Sequence, residues 1–203
     1  TGEFFYSSTK LPVVTPENAV SWAHAMIEHS GQPSLWSLCS GSSRTLTIMM
    51  AAPFCQVVCF PVDFRYGWDL CLPTHQCIIK RVDSIIRPRC VMFEFPSKTT
   101  EPVVTFLLSL LMQVVGTGRK FVSEHALRLE TCSIPHAPLS VLREMKEVTC
   151  HKTSLCSFSD ARDGERLRRS TRLCANFSMK HSVRSCTCSQ GHFTSAVDPQ
   201  SNA

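Results

Sequence analysis

The clearest periodicity in the chain lies at residues 15–31, "TPENAVSWAHAMIEHSG". Ala19, Trp22, Ala23, Met26 and Ile27 recur at helical spacing and predict one amphipathic helix. Thr15 is placed to cap it, Pro16 suits its first position, and Gly31 ends it. Short apolar runs then alternate with longer helical patterns. "SLWSLC" reads as a strand, followed by the small-residue turn "SGSS" and a helix over "RTLTIMMAA". "QVVCFPVD" reads as a second strand ending at Asp63. In "THQCIIKRVDSII" the residues Ile78, Ile79, Val82, Ile85 and Ile86 form one apolar side of a helix. "RCVMFEF" is a third strand closed by Pro96, "EPVVTFLLSLLMQVVGTG" a helix, "KFVSE" a fourth strand, "PLSVLREM" a short helix and "KEVTC" a fifth strand. Beyond Cys150 the pattern weakens into "SFSDARDGERLRRSTR", read as loop or hairpin, and "DPQSNA" reads as a disordered end.

Strand–helix alternation predicts an α/β fold: a Rossmann-like, doubly wound, mostly parallel sheet with helices on both faces. Its strands are nearly continuous apolar runs, as expected where both sheet faces are covered. The expected organisation is a lead-in and helix over 1–33, the core over 34–150, and a basic, cysteine-containing segment over 151–203.

Composition narrows this picture. The 203 residues suit one domain, and 43% are hydrophobic, enough for a real core. The longest apolar run, "VVTFLLSLLMQVV", falls short of the roughly 20 residues a membrane span needs. No leader pattern opens the chain, and its start at Thr1 suggests a piece of a longer polyprotein. The 12 cysteines are scattered, several within apolar runs, where the thiol behaves as a small hydrophobe. A reduced, intracellular protein (cytoplasm or nucleus), with no membrane partner, is therefore expected. The net charge of +5 resides wholly in the C-terminal third, around "RDGERLRRSTR". That patch can contact phosphates, with Arg166, Arg168, Arg169 and Arg172 as candidates, or it is an ordinary solvated face.

In a doubly wound sheet, ligands bind beyond the carboxyl ends of the strands. The first strand ends in Ser40-Gly41-Ser42-Ser43, where small residues let backbone N–H groups approach an anion or acceptor. The second ends in Asp63, about 20 residues on, a distance that suits a carboxylate accepting from ribose hydroxyls. The plain alternative is a βα turn. In "DFRYGWDL", Trp68 and Asp69 either border a purine, or pack on the surface and cap the next helix respectively. Glu94 and Glu124 are carboxylates in strand patterns, each either a site group or a cap or ion pair.

The order of these pieces resembles the class I S-adenosylmethionine-dependent methyltransferases, in particular their cytosine-C5 DNA methyltransferase branch. "LCSGSSRTL" is similar to that family's Phe-x-Gly-x-Gly motif, "PVDFRYGWDL" to its acidic segments, "VMFEFPSKTT" to its Pro-Cys region and "RKFVSEHA" to its Glu-Asn region. More closely, the chain resembles methyltransferase-like modules of retroelement polyproteins, including a tail with Arg169-Ser170-Thr171, Asn176, Cys186, Cys188 and His192. The resemblance covers roughly residues 34–197. It implies S-adenosylmethionine as cofactor, held by Ser40, Gly41, Ser43, Asp63, Asp69 and Pro96, and a base-contacting role for Glu124. Three departures imply a degenerate module. Ser97 follows Pro96 where the family has its nucleophilic cysteine, and an unassisted hydroxyl cannot be ionised as a thiol can. Ser43 replaces the second glycine, and His125 replaces the asparagine after Glu124.

Two functions follow as expectations. One is a degenerate methyltransferase-like module that retains cofactor binding. The other is a non-enzymatic, nucleic-acid-associated or scaffolding module of a mobile-element polyprotein, working through the basic patch. An active methyltransferase using other groups would need base flipping and a nucleophile that the motifs do not supply. Cys186, Cys188 and His192, with Cys174 as a fourth, are weak zinc candidates, because Cys-x-Cys is tighter than the paired spacing of structural zinc sites.

Overall fold

The computed structural model describes residues 14–39, 59–95, 100–126, 137–154 and 170–179. Its elements, in order, are α1 (Ala19–Ser30), β1 (Leu35–Leu38), a 3-10 turn (Phe64–Tyr66), α2 (Pro73–Ile86), β2 (Cys90–Phe95), α3 (Glu101–Gly116), β3 (Lys120–Ala126), α4 (Ala137–Glu144), β4 (Thr149–Ser154) and β5 (Ser170–Ala175). The five strands form one sheet in the order β1-β2-β3-β5-β4. β1, β2 and β3 are parallel neighbours. β5 is antiparallel to both β3 and β4, so β4 runs in the direction of the first three strands. Four strands therefore share one direction. With helices in the crossovers, this is the expected Rossmann-like α/β architecture.

Strand alternation sorts the side chains. Trp36 and Leu38 of β1, Val91, Phe93 and Phe95 of β2, and Phe121 of β3 join one core cluster with α1, α2 and α3. Each large side chain in it contributes about 1.5–3 kcal/mol through burial. Leu35, Met92, Glu94 and Glu124 occupy the opposite face by the same alternation. The helices bury the predicted stripes: Ala19, Ala23 and Met26 of α1, and Ile79, Val82 and Ile86 of α2. α3 buries seven residues, from Val103 to Val114, as its apolar density predicts.

Several expectations change. α1 starts at Ala19, not at a Thr15 cap: Pro16–Asn18 form a turn in which the Thr15 carbonyl accepts from Ala19 N (3.0 Å). Gly31 ends that helix at φ 73, as expected. Of the second strand, the described residues contribute only an isolated parallel bridge, Leu38 to Val62. The "SGSS" turn and the helix over 44–52 lie outside the described residues. The fifth strand begins at Thr149 and runs to Ser154, because Lys146 and Glu147 form a turn closed by Val148 N to Met145 O (3.0 Å).

Ser170–Ala175 is a strand antiparallel to β4, in keeping with the hairpin alternative beyond Cys150, and it carries the sheet beyond residue 150. Its Cys174 stands directly opposite Cys150, and the two are joined by a disulfide. The expectation of a fully reduced chain is thus overturned by register: antiparallel pairing brings together two thiols 24 residues apart. No helix among the described residues is long and apolar enough to cross a membrane.

Candidate functional site

β1 has neighbours on both sides. On one, Cys39 N donates to Val62 O (2.6 Å), Val62 N to Ser37 O (3.3 Å) and Cys59 N to Leu35 O (2.9 Å). On the other lies β2. The chain leaves β1, returns alongside it as Cys59–Val62, then crosses through α2 to β2. The carboxyl end of β1 is therefore a topological switch point, where an open α/β sheet parts its connections and leaves a crevice.

Three residues flank it along the backbone: Cys39, Asp63 and Glu94. Cys39, the residue after β1, has φ 64, a left-handed conformation that non-glycine residues seldom adopt. Its thiol is pushed up to about 12, first by burial and then by the charges of Asp63 and Glu94. Cys39 is thereby held as a neutral thiol, and because Leu38 bridges Val62 and pairs with Phe93, the next residues along, Asp63 and Glu94, stand on either side of it. Glu94 is in turn the register partner of Glu124, so the two acids occupy adjacent strands on one sheet face. Asp63, Glu94 and Glu124 thus lie towards the carboxyl ends of the returning segment, β2 and β3, with β1 between the first two.

Asp63 has a second, local task. Its Oδ1 accepts from Arg65 N (3.1 Å), capping the 3-10 turn that Gly67 closes at φ 84. That turn leaves Phe64, the neighbour of Asp63, 79% exposed. Phe64 was not singled out from the sequence. Its signal was adjacency to an acid at a strand end, outweighed by the bulkier Trp68 four residues on.

Trp68 neither borders a ligand nor packs on the surface. It is 1% exposed, stacks on Phe60 (5.6 Å between centroids) and donates from Nε1 to Val14 O (2.9 Å). Core burial claims this ring because Phe60, Trp36 and Trp22 form an aromatic cluster beside it. Asp69 shapes the approach to α2: its Oδ1 accepts from Cys71 N (2.9 Å), and its own N–H donates to His75 Nδ1 (3.0 Å). Asp69 does not cap α2, whose N-cap is Leu72 with no side-chain cap bond; its carboxylate holds the turn before the helix instead.

His125, next to Glu124, faces the core. Its ring stacks on Phe95 (4.9 Å) and its Nε2 lies 3.0 Å from Ser123 Oγ. Burial, helped by the nearby Arg172, lowers its pKa to about 4 and keeps the imidazole neutral. Arg172 itself lies within β5, in register with His125, as the hairpin alternative for that stretch allows. Asn176 is structural: its Oδ1 accepts from Phe121 N (2.9 Å) and its Nδ2 donates to Arg119 O (2.8 Å), pinning the start of β3.

Ser40, Gly41, Ser43, Pro96, Ser97, Arg166, Arg168, Arg169, Cys186, Cys188 and His192 lie outside the described residues. Cys174 cannot serve as a thiolate ligand while it is in the disulfide. Among the described residues no cluster of three metal-ligating side chains forms.

No family model matches the chain, and no curated protein matches it. Among solved structures it is similar to a human methyltransferase 10 domain-containing protein, at 11% identity over 79% of each chain, with a TM-score of 0.38. That likeness is too distant to carry an argument about family or function.

Proposed function

We propose that this chain is a methyltransferase-like Rossmann module that binds S-adenosylmethionine or a related nucleoside in the crevice at the end of β1, and that its transfer chemistry is degenerate. One observation carries the reading: Leu38 at the end of β1 bridges Val62 on one side and pairs with Phe93 on the other, so that Asp63 and Glu94 flank the switch point. The donor set fits such a ligand. A carboxylate at Asp63 can accept from two ribose hydroxyls, and the exposed ring of Phe64 beside it offers a face to a base. The small residues Ser40, Gly41 and Ser43 permit close backbone approach to the rest of the molecule.

When bound, the cofactor would supply an electrophilic methyl group on a sulfonium. The chain supplies less. Ser97 follows Pro96 in place of a thiol, and an unassisted hydroxyl cannot be ionised as a thiol can. Cys39 is no substitute, since burial and two flanking carboxylates hold it protonated. Glu124, beside Glu94, can orient or accept a proton but has no nucleophile to assist. The reading is therefore a binding module of methyltransferase ancestry.

Calorimetric titration with S-adenosylmethionine and S-adenosylhomocysteine tests it. Micromolar affinity, about −8 kcal/mol, is expected. It should be lost in Asp63→Asn, which keeps an acceptor for Arg65 N but removes the charge. Absence of heat at several temperatures, or full affinity in Asp63→Asn, would sink the proposal.

A further inference from the structure

The antiparallel pairing of β5 with β4 sets Arg172 directly opposite Lys152. Directly opposed residues of such a pair share a face, with Cβ atoms about 5 Å apart, and like charges there repel. Lys152 is exposed and Arg172 half-buried. Neither forms a salt bridge among the described residues, where the one such pair is Asp83–Arg119 at the other end of the sheet. The sheet's own acids, Glu94 and Glu124, do not offset them, because Glu124 pairs with Leu173 and so faces the other way. Two residues along the same face, Cys150 and Cys174 are cross-linked. The fold thus binds two cations side by side and ties their strands covalently.

We infer that Lys152 and Arg172 form a phosphate-contacting ladder for a nucleic-acid strand, held in place by the Cys150–Cys174 disulfide. Two cations directly opposed on one face are stabilised when an anion bridges them, and a sugar–phosphate backbone presents such anions in series. An anionic membrane fits less well. The large exposed apolar side chains among the described residues are Phe64, Leu72 and Met112, which sit on the 3-10 turn, before α2 and on α3. None lies on β4 or β5 to insert beside the charges. The ladder is independent of cofactor binding at β1.

Reduction gives a redox dependence. A dithiol attacks the disulfide, two electrons and two protons pass to the two sulfurs, and the reductant leaves as its own cyclic disulfide. The strands are then held only by their ladder, against the repulsion of the pair.

Fluorescence polarisation of the full chain with a labelled single-stranded oligonucleotide, over a series of salt concentrations, tests this. The oxidised chain should bind, with affinity falling steeply as salt rises. Lys152→Gln with Arg172→Gln should weaken binding about tenfold and flatten the log–log salt slope by about 1.4, two phosphate contacts' worth. Reduction, or Cys150→Ser with Cys174→Ala, should weaken binding several-fold, with far-UV circular dichroism confirming that the sheet persists. Absent binding, an unchanged slope in the double glutamine variant, or equal affinity for phosphatidylserine vesicles would overturn the assignment. Unchanged affinity in both the reduced chain and the cysteine variant would overturn the clamp.

Discussion

Arg119 closes on Asp83 in a two-pronged contact, Nη1 to Oδ1 and Nη2 to Oδ2, each 2.7 Å. The side chains are 9% and 1% exposed. Gln113 Nε2 donates to Asp83 Oδ2 (3.1 Å) and Arg119 Nε to Thr117 Oγ1 (2.9 Å), so the charges are both paired and hydrogen-bonded. The contact ties α2, the end of α3 and the entry to β3, at the pole opposite the β1 crevice.

Breaking that pair should be costly because the survivor stays buried. Asp83→Ala is expected to lower stability by about 3–5 kcal/mol in urea unfolding. Asp83→Leu combined with Arg119→Met should cost much less than either single change, since it removes both charges together. A double variant as unstable as the sum of the singles would contradict this account.

His125 should make the protein acid-sensitive. Its folded pKa is lowered from 6.5 to about 4, so the unfolded chain binds the proton more readily. Stability is therefore unaffected above about pH 6.5 and falls as the pH drops towards 4, by about 3 kcal/mol in all. His125→Phe should flatten that slope while keeping the stack on Phe95. Unfolding midpoints measured between pH 7 and 4 check it.

The two aromatics of the Asp63 segment should behave oppositely. Trp68→Phe removes the Nε1 donor to Val14 O and should cost about 1–3 kcal/mol of stability. Phe64→Ala should leave stability within about 0.5 kcal/mol, yet weaken nucleoside binding by about 1–3 kcal/mol if the ring stacks on a base. Thermal unfolding and calorimetry on the same two variants separate the roles.

The disulfide closes a loop with a sequence separation of 24 residues. On the chain-entropy account, opening it should lower stability by about 3–4 kcal/mol. Guanidinium unfolding with and without reductant measures the difference, and Cys150→Ser should reproduce the reduced value without added thiol.

The elements that sequence alone determined are those built on local physics. α1, α2 and α3 announce themselves because each must bury one stripe, and Met26, Val82 and Leu107 recur at the spacing that a helix requires. β1, β2 and β3 show as apolar runs because crossovers make parallel strands interior. The position of Asp63 at the end of a returning segment was legible for the same reason. The rest depended on partners distant along the chain. "STRLCA" carries no apolar alternation, yet β5 is a strand because β3 and β4 leave it one place to pair. Trp68 is core because Phe60 and the Val14 carbonyl meet it there. Asp83 has nothing local to mark its role, because its partner Arg119 lies 36 residues on. Lys152 and Arg172, and the sulfurs next to them, became neighbours through strand register, which side-chain pattern leaves open wherever a strand is polar on both faces.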